Sequence, residues 1–417
     1  MSDLRARAIG STARLAGLPW RIAPGRGRPL HPGDQRLKRI VVIKPCCMGD
    51  VLMATPAIAA LRRAHPNSYI AMAVGGWSRQ AVAHNPRING LITAPTGGGG
   101  TPWTDYMKLA RMIRRGNFGT AVVLDRSPML SIVALMGRAR IRAGLDSDGR
   151  GISLTHPVPC PSDKVRHEVE WYLDVVRAMG LPAPREEAYL EFFPTEEERK
   201  DAQRVLAEAG AGEADGGYVA IHLGGGANPG MRLLSKRWQP ERWARIADWL
   251  AETHDTTILL LGGPDKDDRD AADKMQAALF DATRPYVVDL VGKLEWGAMG
   301  ALIGRCDLFL GHDTGAMHLA TAMRTPVVAV FGPSDPARYG PWDPSRHSVA
   351  VAPRQGIHRR GSEALRRASR RSDGKYHTAV SVEGVWAAVE KMYARTQSEK
   401  SARITASADA VADPTPD

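Results

Sequence analysis

Three short stretches carry residues whose types and spacing can do chemistry. The first is Lys44-Pro45-Cys46-Cys47-Met48-Gly49-Asp50, where an apolar run ends in two thiols, a glycine and a lone carboxylate before a helical pattern. On residue type alone Asp50 is a turn or capping aspartate, and Cys46 and Cys47 are small loop residues or reactive thiols. The second is Gly224-Gly225-Gly226, followed at a distance by Lys236. Glycines let backbone N–H groups approach an anion, and a lysine adds a mobile point charge. This is a phosphate cradle or a plain glycine turn, and it matches neither a Walker loop nor G-x-G-x-x-G. The third is Asp313-Thr314-Gly315, with His318 one helical turn beyond Thr314. Asp313 can cap the helix that opens there, and the free N–H groups at its start make an anion site. Both roles hold together when the carboxylate receives sugar hydroxyls while the amides hold a diphosphate. A lone histidine such as His318 favours a structural role, although it can face the ligand.

These stretches all follow strand candidates. Beyond residue 36 the chain alternates short β-rich runs with helical patterns: RIVVIK, YIAMAV, LIT and TAVVLD come first. Val51, Ala54, Ile58 and Leu61 fall on one helical face. Thr55-Pro56 reads as an N-cap with proline at the first helical position, so the residues from Asp50 form either a kinked first turn or a separate one. TEEERKDAQRVLAEAGAGEADGG then reads as a charged helix and linker. The alternation restarts with YVAIHLGGG, TTILLLGG, YVVDLVG, DLFLGHD and PVVAVFG, separated by helical patterns near 240–253, 267–280, 296–304 and 315–323. Such alternation predicts parallel sheets with helices on both faces, so the fold class is α/β with two doubly wound units facing across a cleft. Ligands of such sheets bind beyond the C-terminal strand ends, where the three stretches lie.

The predicted organisation is a basic extension (1–37), an N-terminal domain (38–205), a C-terminal domain (216–350), a basic segment and a helix packing back (351–396), and a disordered tail (397–417). Hydrophobic residues make up 43% and charged residues 24% of the 417, the composition of a globular protein. No run reaches the roughly 18 apolar residues of a spanning helix, and no secretory signal is read, so a cytoplasmic location is expected. The formal charge of +11 favours an anionic partner. Its basic clusters lie mainly in the extension and in HRRGSEALRRASRRSDGK, as solvated chain or as a dock on the inner face of an anionic membrane. Aromatic residues do not interleave with them, which argues against nucleic acid. Cys46, Cys47, Cys160 and Cys306 show no C-x-x-C spacing, so no zinc site is suggested. Asp146-Ser147-Asp148 imitates an Asp-x-Asp metal motif but lies in a glycine-bounded turn.

Taken together, VVIKPCCMGDVLMATPAIAALRRAHP, KRWQPERWARIADWL, LLLGGPDKDDRDAA and GHDTGAMHLATAMRTPVVAVFGPSDP resemble the lipopolysaccharide core heptosyltransferases of glycosyltransferase family 9, over about residues 38 to 345. The resemblance implies the GT-B fold, two Rossmann-like domains with the acceptor on the first and the nucleotide sugar on the second. It implies inverting transfer of a heptose or related sugar from an ADP-sugar co-substrate, without metal or further cofactor. Asp50 matches the family's general base, with Cys46, Cys47 and Gly49 in the acceptor-side loop. Lys236 matches the phosphate-binding lysine, beside Gly224 and Gly225. Thr314 and Gly315 match the diphosphate loop, and Asp313 the acidic residue beside the donor, with His318 nearby. Asp265 or Asp268 would hold the ribose, and Leu294 the adenine.

The family usually has small hydroxylated residues before Gly-Asp, where this chain has Pro45-Cys46-Cys47. That difference leaves the acceptor open between an anionic lipid-linked glycan and a soluble natural product. Two other readings compete. A nicotinamide-dependent oxidoreductase or epimerase is disfavoured by the missing G-x-G-x-x-G and by the lack of a helical Tyr-x-x-x-Lys. A nucleotide-sugar-binding protein without turnover is disfavoured by intact Asp50, Lys236 and Asp313.

Overall fold

The computed structural model describes residues 27–31, 33–95, 101–211, 217–225, 227–228, 231–345, 348–351 and 380–412. Most of the expected basic extension, the basic segment up to 379 and the last five residues lie outside the described residues. The chain divides into two compact units. One comprises residues up to Phe193 together with Ala337–Ser345; the other is mainly Pro194–Pro336 and the C-terminal residues.

In the first unit the elements run β1 (Arg39–Ile43), α1 (Met48–Ala64), β2 (Tyr69–Gly75), β3 (Gly90–Ala94), α2 (Trp103–Arg115), β4 (Thr120–Val123), α3 (Pro128–Met136), β5 (Ile141–Asp146), β6 (His156–Pro159) and α4 (Glu168–Arg177). All strand pairs are parallel, in the order β3-β2-β1-β4-β5-β6. β1 is central, with Val41 opposite both Ala71 and Ala121. Burial on both faces explains its unbroken apolar run. Val41, Ile43, Ala73, Leu109, Ile113 and Val133 belong to the core on one side.

Helix α1 begins at Met48, with Cys47 as its N-cap and Pro56 in its interior. The proline lacks the N–H that would have bonded the Leu52 carbonyl. The Thr55 hydroxyl donates to that carbonyl instead, at 2.6 Å, and accepts the Glu191 N–H at 2.9 Å. Thr55 therefore repairs the helix rather than starting one. Part of the expected N-terminal extension is ordered on this unit: the Gly27 N–H donates to Thr155 O and the Leu30 N–H to Met179 O, each at 2.9 Å.

The second unit opens with α5 (Glu196–Glu208), closed by a reciprocal Thr195–Glu198 capping box. There follow β7 (Tyr218–His222), the short pair β8 (Ala227–Asn228) and β9 (Met231–Arg232), α6 (Pro240–His254), β10 (Thr257–Leu261), α7 (Lys266–Ala278) and β11 (Val287–Asp289). Then come α8 (Trp296–Ile303), β12 (Leu308–His312), α9 (Gly315–Ala322), β13 (Val327–Val330), β14 (Ser348–Val351) and α11 (Val382–Ala412); between β13 and β14 the short α10 (Pro336–Tyr339) begins the segment that belongs to the first unit. The main sheet is parallel in the order β11-β10-β7-β12-β13-β14, which repeats the arrangement of the first unit strand for strand. The boundary falls before α5, earlier than the expected 205, because α5 packs on α8 of this unit.

Helix α11 buries Val385, Val389, Met392 and Tyr393 in the second core. It then continues through residues expected to form a disordered tail, as far as Ala412. Glu399 accepts from Arg395 one turn earlier at 3.0 Å, and Lys400 pairs with Asp307, which supports the extension. Among the described residues no helix is long and apolar enough to cross a membrane.

Candidate functional site

In a doubly wound sheet, a crevice forms where strand order reverses, outside the carboxyl ends of two adjacent strands. That point lies between β1 and β4 in the first unit and between β7 and β12 in the second. The chemistry-bearing residues collect at both.

At the first, Lys44 follows β1 and Asp125 follows β4. Lys44 Nζ lies 3.2 Å from Asp125 Oδ2 and 3.9 Å from Asp50 Oδ2. Asp50 is the third residue of α1, and the helix has no side-chain cap, so the capping reading of Asp50 does not hold. Its side chain keeps 21% of its surface exposed. Burial pushes its carboxyl above the ordinary range. Lys44 opposes this, while Glu168 and Asp125 reinforce it. Asp125 goes the other way: burial raises it, but Lys44 and the Ser127 N–H outweigh that and hold it low. The closer contact of Lys44 with Asp125 explains the split.

Glu168, the first residue of α4, accepts from Arg126 Nη2 at 2.7 Å and from Arg338 Nε at 2.6 Å. Arg338 belongs to the 337–345 segment, which returns to this unit. His167 Nε2 meets Gly340 O at 2.9 Å, and the Trp342 indole donates to Ala188 O. Burial raises the Glu168 carboxyl, but Arg126, Arg338 and Lys44 outweigh it and keep it ionised.

Gly49 is buried in the first turn of α1. Cys46 Sγ and Cys47 Sγ stand 3.0 Å apart. The bond between the two thiols raises the Cys46 thiol and lowers that of Cys47. One ligand atom from each of Cys46, Cys47 and Asp50 lies within 4.8 Å of the others. A search for C-x-x-C misses this arrangement, in which two adjacent thiols meet a carboxylate on the next helical turn.

At the second crevice, β12 ends at His312, and Thr314 is the N-cap of α9 without capping it through its side chain. Asp313 does not cap the helix either. Its Oδ2 accepts from Lys236 Nζ and from Ser334 Oγ, each at 2.5 Å. Burial raises its carboxyl, and Lys236 and Ser334 outweigh that and hold it low. His318 is buried beside this pair; burial pushes its pKa down to about 4, and its Nδ1 has no hydrogen-bond partner. Thr314 Oγ1 is likewise buried and unpartnered.

Gly225 has φ +114, which favours glycine, and a Cβ there would strike Thr314 Cγ2. The loop after β7 therefore lies directly against the start of α9. Gly224 faces the Asp268 carboxylate; Gly226 lies outside the described residues. Of the two ribose candidates, Asp268 is engaged structurally. It accepts from Arg237 Nη2 at 2.5 Å and from the Gly263 N–H at 2.7 Å. Asp265 is exposed and caps α7 by accepting the Asp268 N–H at 3.1 Å through Oδ1. Leu294 is half-buried in the turn before α8.

His312, which opens the HDTG stretch but carries no role in the sequence reading, organises the lysine segment. Its Nε2 accepts the Trp238 N–H at 2.7 Å and the Trp243 indole N–H at 3.1 Å. Lys236 is two residues upstream, so His312 and Asp313 hold the same segment from successive positions. Sequence reasoning also passed over Lys44, Asp125, Arg126, Glu168 and Arg338. Asp125-Arg126 directly follows the TAVVL run, and its place at a strand end was the signal. Asp146 and Asp148 accept N–H bonds from Gly151 at 2.7 Å and from Ser162 at 2.9 Å, as turn residues do.

Two parallel six-stranded units of the same strand order define the GT-B fold. A family model described as "Glycosyltransferase family 9 (heptosyltransferase)" matches residues 106–366. The chain belongs to glycosyltransferase family 9 and is a glycosyltransferase. "Lipopolysaccharide heptosyltransferase 3" of Escherichia coli is 27% identical over 294 residues, 69% of this chain and 81% of that protein. The glycosyl transferase family 9 structure from Veillonella parvula superposes with TM-score 0.70 at 23% identity, covering 88% of this chain and 100% of that one. The E. coli ADP-heptose lps heptosyltransferase II gives TM-score 0.65 at 20% identity, covering 86% and 99%. These structural likenesses speak for the fold.

Proposed function

We propose that the chain is an inverting heptosyltransferase that moves a heptose from an ADP-heptose to an acceptor hydroxyl, with Asp50 as general base and no metal in the chemical step. The observation that carries the reading is Asp50 itself. It is a half-buried carboxylate at a switch point, serves no capping role, and sits in surroundings that raise its carboxyl above the ordinary range. The acceptor oxygen attacks the anomeric carbon as its proton passes to Asp50, and the bond from that carbon to the β-phosphate oxygen breaks. The base contributes about 10² to 10⁴ in rate.

Charge develops on the departing diphosphate, so fixed donors must meet it. Lys236, the Thr314 hydroxyl and the N–H groups opening α9 are those donors, and Asp313 fixes the lysine. His318, neutral near pH 7, adds a polar ring without competing charge. Asp265 suits the ribose and Leu294 the base. The donor reading is supported by two relatives, a lipopolysaccharide heptosyltransferase 3 and an ADP-heptose lps heptosyltransferase II. A lipid-linked glycan at the inner membrane face is the acceptor class that fits them, reached by peripheral contact.

The test measures nucleoside diphosphate release from a panel of ADP-, UDP-, GDP- and dTDP-sugars with candidate acceptors. ADP-heptose should be preferred, and Asp50→Asn should lose about 10² to 10⁴ in turnover at unchanged melting temperature. Near-normal turnover of Asp50→Asn would remove the base assignment.

A further inference from the structure

We propose that Cys46, Cys47 and Asp50 form a three-ligand site for a soft divalent cation such as Zn²⁺, whose binding withdraws the carboxylate from catalysis. The inhibitory consequence rests on the reading of Asp50 as the base; the binding site itself does not. The donor atoms of the three side chains lie within 4.8 Å of one another. With the two sulfurs 3.0 Å apart, small side-chain rotations bring all three donors to ordinary zinc–sulfur and zinc–oxygen distances of about 2.3 and 2.0 Å. Two of the three donors are sulfur, which selects Zn²⁺ or Cd²⁺ over Mg²⁺ or Ca²⁺. Three protein ligands leave a fourth position for water.

Local structure favours the thiolates that a metal requires. Cys47 is the N-cap of α1, where the helix end stabilises negative charge. The Cys46 and Cys47 sulfurs already stand 3.0 Å apart with a thiol hydrogen bond between them, and a soft cation takes the place of that proton. Binding releases the thiol protons to solvent, two when both thiols start protonated, and forms two metal–sulfur bonds and one metal–oxygen bond. Lys44 does not have to move, because Asp125 holds it at 3.2 Å. Once its oxygen coordinates the ion, Asp50 no longer offers a free lone pair to an acceptor proton.

The experiment titrates the reduced, chelator-treated full chain with Cd²⁺ as a spectroscopic probe. The expected result is a cadmium–thiolate charge-transfer band that saturates at one equivalent, is displaced by Zn²⁺, and is lost in Cys46→Ser/Cys47→Ser. Asp50→Asn should weaken binding by about tenfold or more. Zn²⁺ should inhibit turnover, measured against each variant's own metal-free rate, and a chelator should restore it. A titration without a saturating band, or a band that persists in the double serine variant, overturns the site. Should that variant fail to fold, alkylation of the wild-type chain decides: Zn²⁺ must protect Cys46 and Cys47, and equal alkylation with and without it overturns the site. Saturating Zn²⁺ that leaves turnover intact would preserve the site while removing Asp50 as the base.

Discussion

Lys44→Met isolates the electrostatics of the first crevice. Lys44 Nζ lies 3.9 Å from Asp50 Oδ2. At an effective dielectric of about 20, that attraction is about 332/(20 × 3.9), or about 4 kcal/mol. Asp125 loses the same cation at 3.2 Å and takes up a proton more readily, which removes part of the like charge beside Asp50. The net move of the Asp50 carboxyl is upward, because the lost attraction is only partly offset. In the assay, kcat/KM for nucleotide-sugar turnover is followed against pH, and its acidic limb reports the free enzyme's base. Below the displaced limb the rate should drop about tenfold per pH unit. Asp125→Asn frees Lys44 for Asp50 and should move the limb the opposite way. The double variant Lys44→Met/Asp125→Asn leaves no orphaned partner beside Asp50, so its limb separates the cation's effect from that of an unpaired Asp125. A limb that stays in place in a folded Lys44→Met protein would refute the reasoning, and opposite signs for the two single changes are its signature.

Other expectations can be read from the same contacts. Lys236→Met removes a charged donor worth about 1.5 to 3 kcal/mol, so donor affinity by calorimetry should fall roughly 10- to 100-fold. Burial holds the His318 pKa near 4 against an ordinary 6.5. The unfolded chain therefore binds a proton that the native chain refuses as pH falls between those values. Native stability should drop by up to about 3 kcal/mol across that window, and His318→Leu should flatten this part of the denaturation-against-pH curve. Glu168→Gln leaves Arg126 and Arg338 without their shared carboxylate and should cost about 3 to 5 kcal/mol in chemical denaturation. It should also move the acidic limb of kcat/KM down, since Glu168 raises Asp50.

Short apolar runs made most strands legible: β1 to β4, and β7 and β10 to β13, were read directly. β5 escaped because Arg142 and Gly144 interrupt its apolar run. β6 and β14 escaped for another physical reason. HPVP holds two prolines, tolerated only at the sheet edge, and SVAV is a short edge strand at the equivalent end of the second sheet. The start of α1 was ambiguous because Pro56 imitates a first-turn proline, and only the Thr55 hydroxyl bond shows otherwise. Asp50, Lys236 and Asp313 were visible as motif residues. Glu168 and Arg338 were not, being far apart in sequence and meeting only through folding. For the same reason no local pattern shows that Asp313 grips Lys236 instead of capping α9.

The return of residues 337–345 has a practical bearing on how the protein can be cut. A gene fragment ending at Phe193 would keep all six strands of the first sheet. It would lack the guanidinium of Arg338 over Glu168, and Ala188 would lose its Trp342 indole donor. Supplying the missing nine residues as a tethered peptide, or rejoining them by circular permutation, is the route to an isolated first unit that retains its native buried charges.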